Sequence, residues 1–233
     1  MAVPVLKTTS IRNETFANLT YHIEGELVPV LQIELPAGER IMFEHHILLW
    51  KDPLVDVELM QLKGAMKRMI AGMPLVMTQT HGPGRIAFSR DGVGQIMAMH
   101  LQPGQGLDVR EHQWLAASSG VDYSFAWVKG ASNILLGGTG LFVDTFQTSQ
   151  REGIVWLHGY GNVFEQLQAG EQIDLEPGAW IYKDRTVDMQ TVLQKLASGL
   201  FGSTQIFWNR FTGPGRIGLQ SMYLQLYGAT TSD

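Results

Sequence analysis

The residues in this sequence best suited to chemistry are histidines that accompany a glutamate. Glu44, His45 and His46 are consecutive, and His112 lies further along the chain. Imidazole nitrogens and carboxylate oxygens are ligands that zinc and similar metals accept. Adjacent residues on a strand point to opposite faces, so either His45 or His46 would join His112 at one site. We favour a structural role for these histidines, with a metal or small-molecule site as the alternative.

Other groupings typical of enzymes are missing from the sequence. There is no cysteine, and no serine lies in a nucleophile-elbow pattern. Glu24 and Glu26 would share one face of a strand, where two like charges usually face solvent. The sequence therefore predicts no catalytic residue and no cofactor, and it favours a non-enzymatic protein.

Basic residues suggest a surface-binding function as a further alternative. Lys63, Lys67 and Arg68 are clustered within a methionine-rich segment, and Arg85 and Arg216 follow turn sequences. Such residues bind phosphates of RNA or of anionic lipids. The net charge of −5 argues against nonspecific nucleic-acid binding. A membrane surface or a protein partner remains open.

A repeated β element must position these side chains. A Leu-x-x-Gly segment occurs three times at a spacing of 66 residues, and alternate apolar residues follow each copy. Alternation is typical of a half-buried strand, and glycine suits a turn that needs positive φ. Each copy therefore predicts a strand, a tight turn and a second strand. The turn glycines are Gly38, Gly104 and Gly170.

A second turn sequence, Gly-Pro-Gly-Arg-Ile, occurs twice, with a degenerate third copy at 151–157. Each copy precedes alternating apolar residues, so it predicts a turn that leads into a strand. A phosphate-binding loop is the alternative, but the Lys-Ser/Thr and helix of such loops do not follow. The turn residues are Gly82, Pro83 and Gly84, and Gly213, Pro214 and Gly215.

Together these elements predict an all-β protein of three repeats in a pseudo-threefold arrangement. We expect one compact domain over residues 1–233, in which the N- and C-terminal segments together complete one repeat. Two segments at 58–73 and 187–201 depart from alternation. Their apolar residues follow three- and four-residue steps, which predicts short helical inserts.

Several features suggest a bacterial cytoplasmic protein. The N-terminus lacks the apolar core of a signal peptide and the character of a transit peptide. No apolar run is long enough to span a membrane. The absence of cysteine suits a reducing compartment.

The sequence resembles the family called altered inheritance of mitochondria, protein twenty-four, whose bacterial members are mostly uncharacterised. The resemblance extends from about Tyr21 to Tyr227 and is carried by 64–72, 127–142 and the two Gly-Pro-Gly-Arg-Ile turns. It implies a fold like the tryptophan RNA-binding attenuator protein, a short double-stranded β-helix repeated three times. It also implies homo-oligomers, with a trimer favoured, and a link to mitochondrial organisation in a yeast relative. It supplies no catalytic residues.

Three function classes follow, in order of preference. The first is a non-enzymatic, oligomeric β scaffold that binds protein partners. The second is a cupin-like metal or small-molecule binding protein that uses His45 or His46 with His112. The third is an RNA- or membrane-surface-binding protein that uses the basic residues.

Overall fold

Strands make up almost all of the regular structure. The computed structural model describes residues 5–6, 11–60, 77–128, 141–166, 169–197 and 203–222. Within these ranges the chain forms strands and one short 3₁₀ helix, His45–Ile47. The expected all-β class is therefore confirmed. No helix in the described ranges has the length and apolar character needed to cross a bilayer.

The strands fall into a short N-terminal group and three groups of six, which we call units one, two and three. The N-terminal strands are β1 (Val5–Leu6), β2 (Ile11–Phe16) and β3 (Leu19–Glu24). Unit one contains β4 (Val30–Leu35), β5 (Arg40–Glu44), β6 (Leu48–Lys51), β7 (Asp56–Leu59), β8 (Met77–His81) and β9 (Gly84–Phe88). Unit two contains β10 (Gly94–Leu101), β11 (Gly106–Arg110), β12 (Trp114–Ser118), β13 (Val121–Val128), β14 (Leu141–Thr148) and β15 (Gly153–Tyr160). Unit three contains β16 (Val163–Gln166), β17 (Gln172–Leu175), β18 (Trp180–Asp184), β19 (Asp188–Ala197), β20 (Ser203–Thr212) and β21 (Ile217–Gln220).

The three units share one pairing scheme. The sixth strand pairs with the first and the third, as in β4·β9·β6, β10·β15·β12 and β16·β21·β18. The fifth strand pairs with the second and the fourth, as in β5·β8·β7, β11·β14·β13 and β17·β20·β19. Each unit therefore supplies two half-sheets of three strands. The glycines between first and second strands have φ of +86°, +82° and +79° at Gly38, Gly104 and Gly170.

Neighbouring units join through these half-sheets. β5 of unit one pairs with β12 of unit two, and β11 of unit two pairs with β18 of unit three. Two composite sheets result, with orders β10-β15-β12-β5-β8-β7 and β1-β16-β21-β18-β11-β14-β13. The two remaining half-sheets, β4-β9-β6 of unit one and β17-β20-β19 of unit three, do not join another unit in the described residues. β6 is an edge strand of the first, and β17 is an edge strand of the second.

The first and last strands of the described chain lie in one composite sheet. Leu35 of the first turn element pairs with Gly84 inside unit one. Both turn elements of unit one therefore lie against each other. The N-terminal strand β1 pairs with β16, which also pairs with the C-terminal strand β21. Completion of one repeat by the two termini stays a prediction.

The two predicted helical inserts are wrong wherever the structure describes them. β19 occupies 188–197 and pairs over ten residues with β20, and β7 already covers the start of the first segment. The spacing of Val192, Leu193 and Leu196 fits a helical face, but β-branched residues and a continuous partner strand favour extended backbone. Residues 61–76 and 198–202 lie outside the described ranges.

Three buried tryptophans lie at the centre of the packing. Trp114, Trp156 and Trp180 are each 0% exposed. Trp114 and Trp180 occupy equivalent positions at the start of β12 and β18, where unit one has Leu48. Apolar residues on alternate positions of the strands surround them, and this explains why the period-two pattern is visible in the sequence.

Candidate functional site

A polar cleft lies where units one and two meet. The connections β5–β6 and β11–β12 place His46 and His112 at equivalent positions, two residues before the third strand of each unit. The cleft has a volume of about 270 Å³. It is lined by His46, Arg90, Asp91, Arg110, Glu111, His112, Gln113 and Tyr160.

Arg90 holds one wall of the cleft together. Its side chain is only 3% exposed. Nη2 donates to Glu44 Oε2 at 2.9 Å and to the carbonyl of Trp114 at 3.0 Å, while Nη1 lies 2.8 Å from His46 Nε2. Through these contacts Arg90 joins unit one to the start of β12. Hydrogen bonds of a charged group are stronger than neutral ones, which strengthens this joint.

Glu44, His46 and His112 converge as possible metal ligands. One ligand atom from each lies within 4.8 Å of the others. The sequence suggested that the two adjacent histidines lie on a strand. They lie instead in the 3₁₀ helix His45–Ile47. His112 has φ of +64°, an uncommon backbone conformation for a residue with a side chain. The side chain of His45 lies outside the described structure.

Burial lowers the pKa of two histidines in this region. It lowers the pKa of His46, and the positive charge of Arg90 acts in the same direction. Burial, with a further contribution from Arg90, lowers the pKa of the neighbouring His158 to about 4. Neutral imidazole is the form that binds a metal. However, a metal on His46 Nε2 would have to replace the hydrogen bond from Arg90.

The cleft also contains a second buried guanidinium. Arg110 Nη1 donates to the carbonyl of Gly178 at 3.2 Å, which connects unit two to unit three. Burial lowers the pKa of Arg110, and nearby Glu176 and Glu111 offset part of this effect. Burial likewise raises the pKa of Tyr160, which also lines the cleft. Most of the residues that line the cleft are charged or polar.

The predicted basic residues that the structure describes, Arg85 and Arg216, are both in ion pairs. Arg85 makes hydrogen bonds to Asp52, and Arg216 makes the equivalent ones to Asp184. Each ion pair uses two nitrogens of the guanidinium group. Lys63, Lys67 and Arg68 lie outside the described residues.

An apolar strand edge forms a second candidate surface. On β6 of unit one, Leu49 is 53% and Trp50 41% exposed. The equivalents of Leu49 are Leu115 and Ile181, and the equivalents of Trp50 are Ala116 and Tyr182. All four equivalents are 0% exposed. The difference arises because β12 and β18 each have a partner strand from the preceding unit, whereas β6 does not within the described chain.

Sequence reasoning found part of the cleft and missed Arg90. Glu44, His46 and His112 were visible as a pattern of ligand types, and the structure brings them together. Arg90 follows β9 after Ser89 and precedes Asp91, and its partners come from two distant segments. The local signal in the sequence was a charged side chain two residues after an apolar run.

Comparisons with known proteins agree with this architecture. The family model described as mitochondrial biogenesis AIM24 matches residues 21–222. A crystal structure of protein SPYM3_0169 from Streptococcus pyogenes is similar, with a TM-score of 0.67 and 19% sequence identity. The match covers 88% of this chain and 94% of that one. At this identity the likeness shows the fold alone. Among curated proteins, no match is found.

Proposed function

The chain belongs to the mitochondrial biogenesis AIM24 family, and on that premise we propose that it is a non-enzymatic, oligomeric β scaffold. The observation that carries this proposal is the apolar edge of β6, where Leu49 and Trp50 are exposed although their equivalents are buried. The unpaired backbone groups of an exposed strand edge readily pair with another chain. An exposed apolar patch likewise marks an interaction surface.

The cleft supports a structural rather than a catalytic role. A general base needs a free lone pair, but His46 Nε2 lies 2.8 Å from Arg90 Nη1. The carboxylate of Glu44 is bound to the same guanidinium. Arg90 and Arg110 connect strands of different units, so their charges stabilise the joints of the scaffold.

The proposal includes the finer architecture that the repeats predict. Three units of the short double-stranded β-helix kind, like those of the tryptophan RNA-binding attenuator protein, would each contribute equivalent contacts. A third composite sheet, in which a β17 strand pairs with a β6 strand, would complete the set of three equivalent joints. The identical pairing scheme of the three units supports this arrangement.

Oligomerisation is tested by light scattering on the intact chain. We expect a mass equal to a small multiple of the chain, with a trimer favoured by the family resemblance. Trp50→Glu places a charge on the apolar edge and is expected to shift the protein to monomer. Leu27→Glu is the matched control, because Leu27 is an apolar residue, 67% exposed, that lies between β3 and β4 rather than on β6. A monomeric wild-type protein would contradict the proposal.

A divalent transition-metal site is a second candidate function. The convergence of Glu44, His46 and His112 favours it, since two histidines and a carboxylate form an open site for zinc. Metal binding would require Arg90 to release His46. The bound ion would then link the segment between β5 and β6 in unit one to the segment between β11 and β12 in unit two.

The metal site is tested by titrating the metal-free protein with Co²⁺. One equivalent per chain is expected to bind, with the visible absorption of a low-coordinate cobalt site. His112→Ala is expected to abolish that absorption. His100→Ala should leave it intact, because His100 is a partly exposed histidine outside the cluster. Absence of the absorption in the wild-type protein would exclude the site.

A further inference from the structure

We propose that β17 of one copy of this chain pairs antiparallel with β6 of a second copy, forming a composite sheet across the two molecules. The inference rests on the proposed oligomeric scaffold and names its partner and its register. It follows from the pairing that the units already use inside the chain.

Equivalence of the units determines which strands should meet. β5, β11 and β17 are the second strands of their units, and β6, β12 and β18 are the third strands. β5 pairs with β12, and β11 pairs with β18. One pair of this kind is missing from the described residues, and its two members, β17 and β6, are the ends of separate sheets.

The observed registers predict the register of the missing pair. Tyr182, Lys183 and Asp184 of β18 lie opposite Val109, Asp108 and Leu107 of β11. The same bulge occurs in β6 and β18, so Lys51 is equivalent to Lys183. By the same equivalence, β17 offers Ile173, Asp174 and Leu175 in place of 107–109. The expected opposite pairs are Trp50 with Leu175, Lys51 with Asp174 and Asp52 with Ile173.

The charges of the two edges are complementary in this register. In the existing pair, Lys183 Nζ donates to Asp108 Oδ2 at 2.7 Å and to the carbonyl of Val187 at 3.0 Å. Lys51 Nζ makes the equivalent bond to the carbonyl of Val55 at 2.8 Å. Within the described residues, Lys51 has no carboxylate partner equivalent to Asp108. Asp174 of a second copy would supply that carboxylate.

Asp174 is already held in a suitable place by its own unit. Arg210 Nε and Nη2 bind its two carboxylate oxygens at 2.7 and 2.6 Å. In unit two, the equivalent neighbour on the fifth strand is Thr145, whose hydroxyl donates to Asp108 at 3.0 Å. Asp108 thus accepts bonds from both sides of β11, and Asp174 would do the same.

The open edge is accessible to a second copy. Trp50 is 41% exposed, whereas Tyr182 at the equivalent position is 0% exposed. Among the described residues, the β6 edge of a single chain is therefore uncovered. Pairing between copies is head-to-tail, because each copy uses two different surfaces. Such contacts propagate until a ring closes or a filament grows.

Cysteine cross-linking tests the register directly, since the natural chain contains no cysteine. Opposite residues in antiparallel strands have Cα atoms about 4.5–5.5 Å apart, within the range that a disulfide spans. Lys51→Cys protein mixed with Asp174→Cys protein is expected to give a disulfide-linked dimer on mild oxidation. Glu24→Cys, a control with an exposed position on β3, should not cross-link to Asp174→Cys.

Other outcomes distinguish the inference from the function on which it rests. An oligomer without this cross-link would overturn the register and leave the scaffold standing. A monomer without the cross-link would overturn both. In dilute protein carrying both substitutions, a disulfide confined to single chains would show closure within the molecule and contradict pairing between copies.

The charge pair provides an independent measurement. Lys51→Glu would place two carboxylates opposite each other, and we expect self-association to weaken about tenfold. Arg151→Glu makes the same charge change on an exposed turn and is expected to leave association unchanged. Equal effects of the two substitutions would mean that overall charge, rather than the pair, controls assembly.

Discussion

Replacing Arg90 with methionine is expected to lower the free energy of unfolding by about 3–5 kcal/mol, the range for removal of one partner from a buried ion pair. The guanidinium donates to Glu44 and to the carbonyl of Trp114, and it lies against His46. Methionine fills a similar volume but provides no donor. The carboxylate of Glu44, only 14% exposed, would then lose its counter-charge.

A double variant separates charge from packing at this position. Glu44→Gln combined with Arg90→Met removes both charges, so the double variant should be more stable than the Arg90→Met variant. Thermal or urea unfolding at a fixed protein concentration measures the difference. If Arg90→Met unfolded at the wild-type midpoint, the ion pair would not hold units one and two together.

Replacing Trp180 with alanine is expected to cost about 3–5 kcal/mol, as for other buried tryptophans. Trp180 is 0% exposed and packs against Phe211, with ring centroids 5.7 Å apart. Among the described residues, the core cluster around it is the smallest of the three and includes Val187 and Ile217. Little surrounding apolar structure is available to fill the cavity.

Trp208→Ala provides the matched control for that prediction. Trp208 is also in unit three, but its side chain is half-buried and its indole donates to Gln194 Oε1 at 2.9 Å on an exposed face. We expect its loss to cost about 1 kcal/mol or less. Equal losses from the two substitutions, measured by urea unfolding, would show that burial of Trp180 contributes little.

The three Leu-x-x-Gly turns were predictable because their signals are local. Gly38 and its two counterparts lie between alternating apolar runs, and all three have positive φ. The β19 strand was not predictable in this way. Its apolar spacing matches a helix, and only the ten-residue pairing with β20 decides its conformation. Propensity is a weak guide when a partner strand supplies every hydrogen bond.

The cleft was predictable only in part, for the same reason. Glu44 and His46 are close in the chain, and His112 is likewise a residue that can bind a metal. The metal hypothesis could therefore be formed from residue chemistry. Arg90 has no such pattern. Its importance depends on the meeting of β5, β9 and β12, and the pairing of β5 with β12 spans two units.

The shared sheets also constrain the order in which the chain can fold. During synthesis from the N-terminus, the half-sheet β5-β8-β7 must wait for β12 to leave the ribosome, and β1 must wait for β16. Contacts so distant in sequence form slowly and leave strand edges exposed in the meantime. An incomplete chain would therefore display the same kind of edge that a finished chain retains at β6. Nascent and mature molecules would compete for each other's strands, which makes the rate of synthesis a factor in correct assembly.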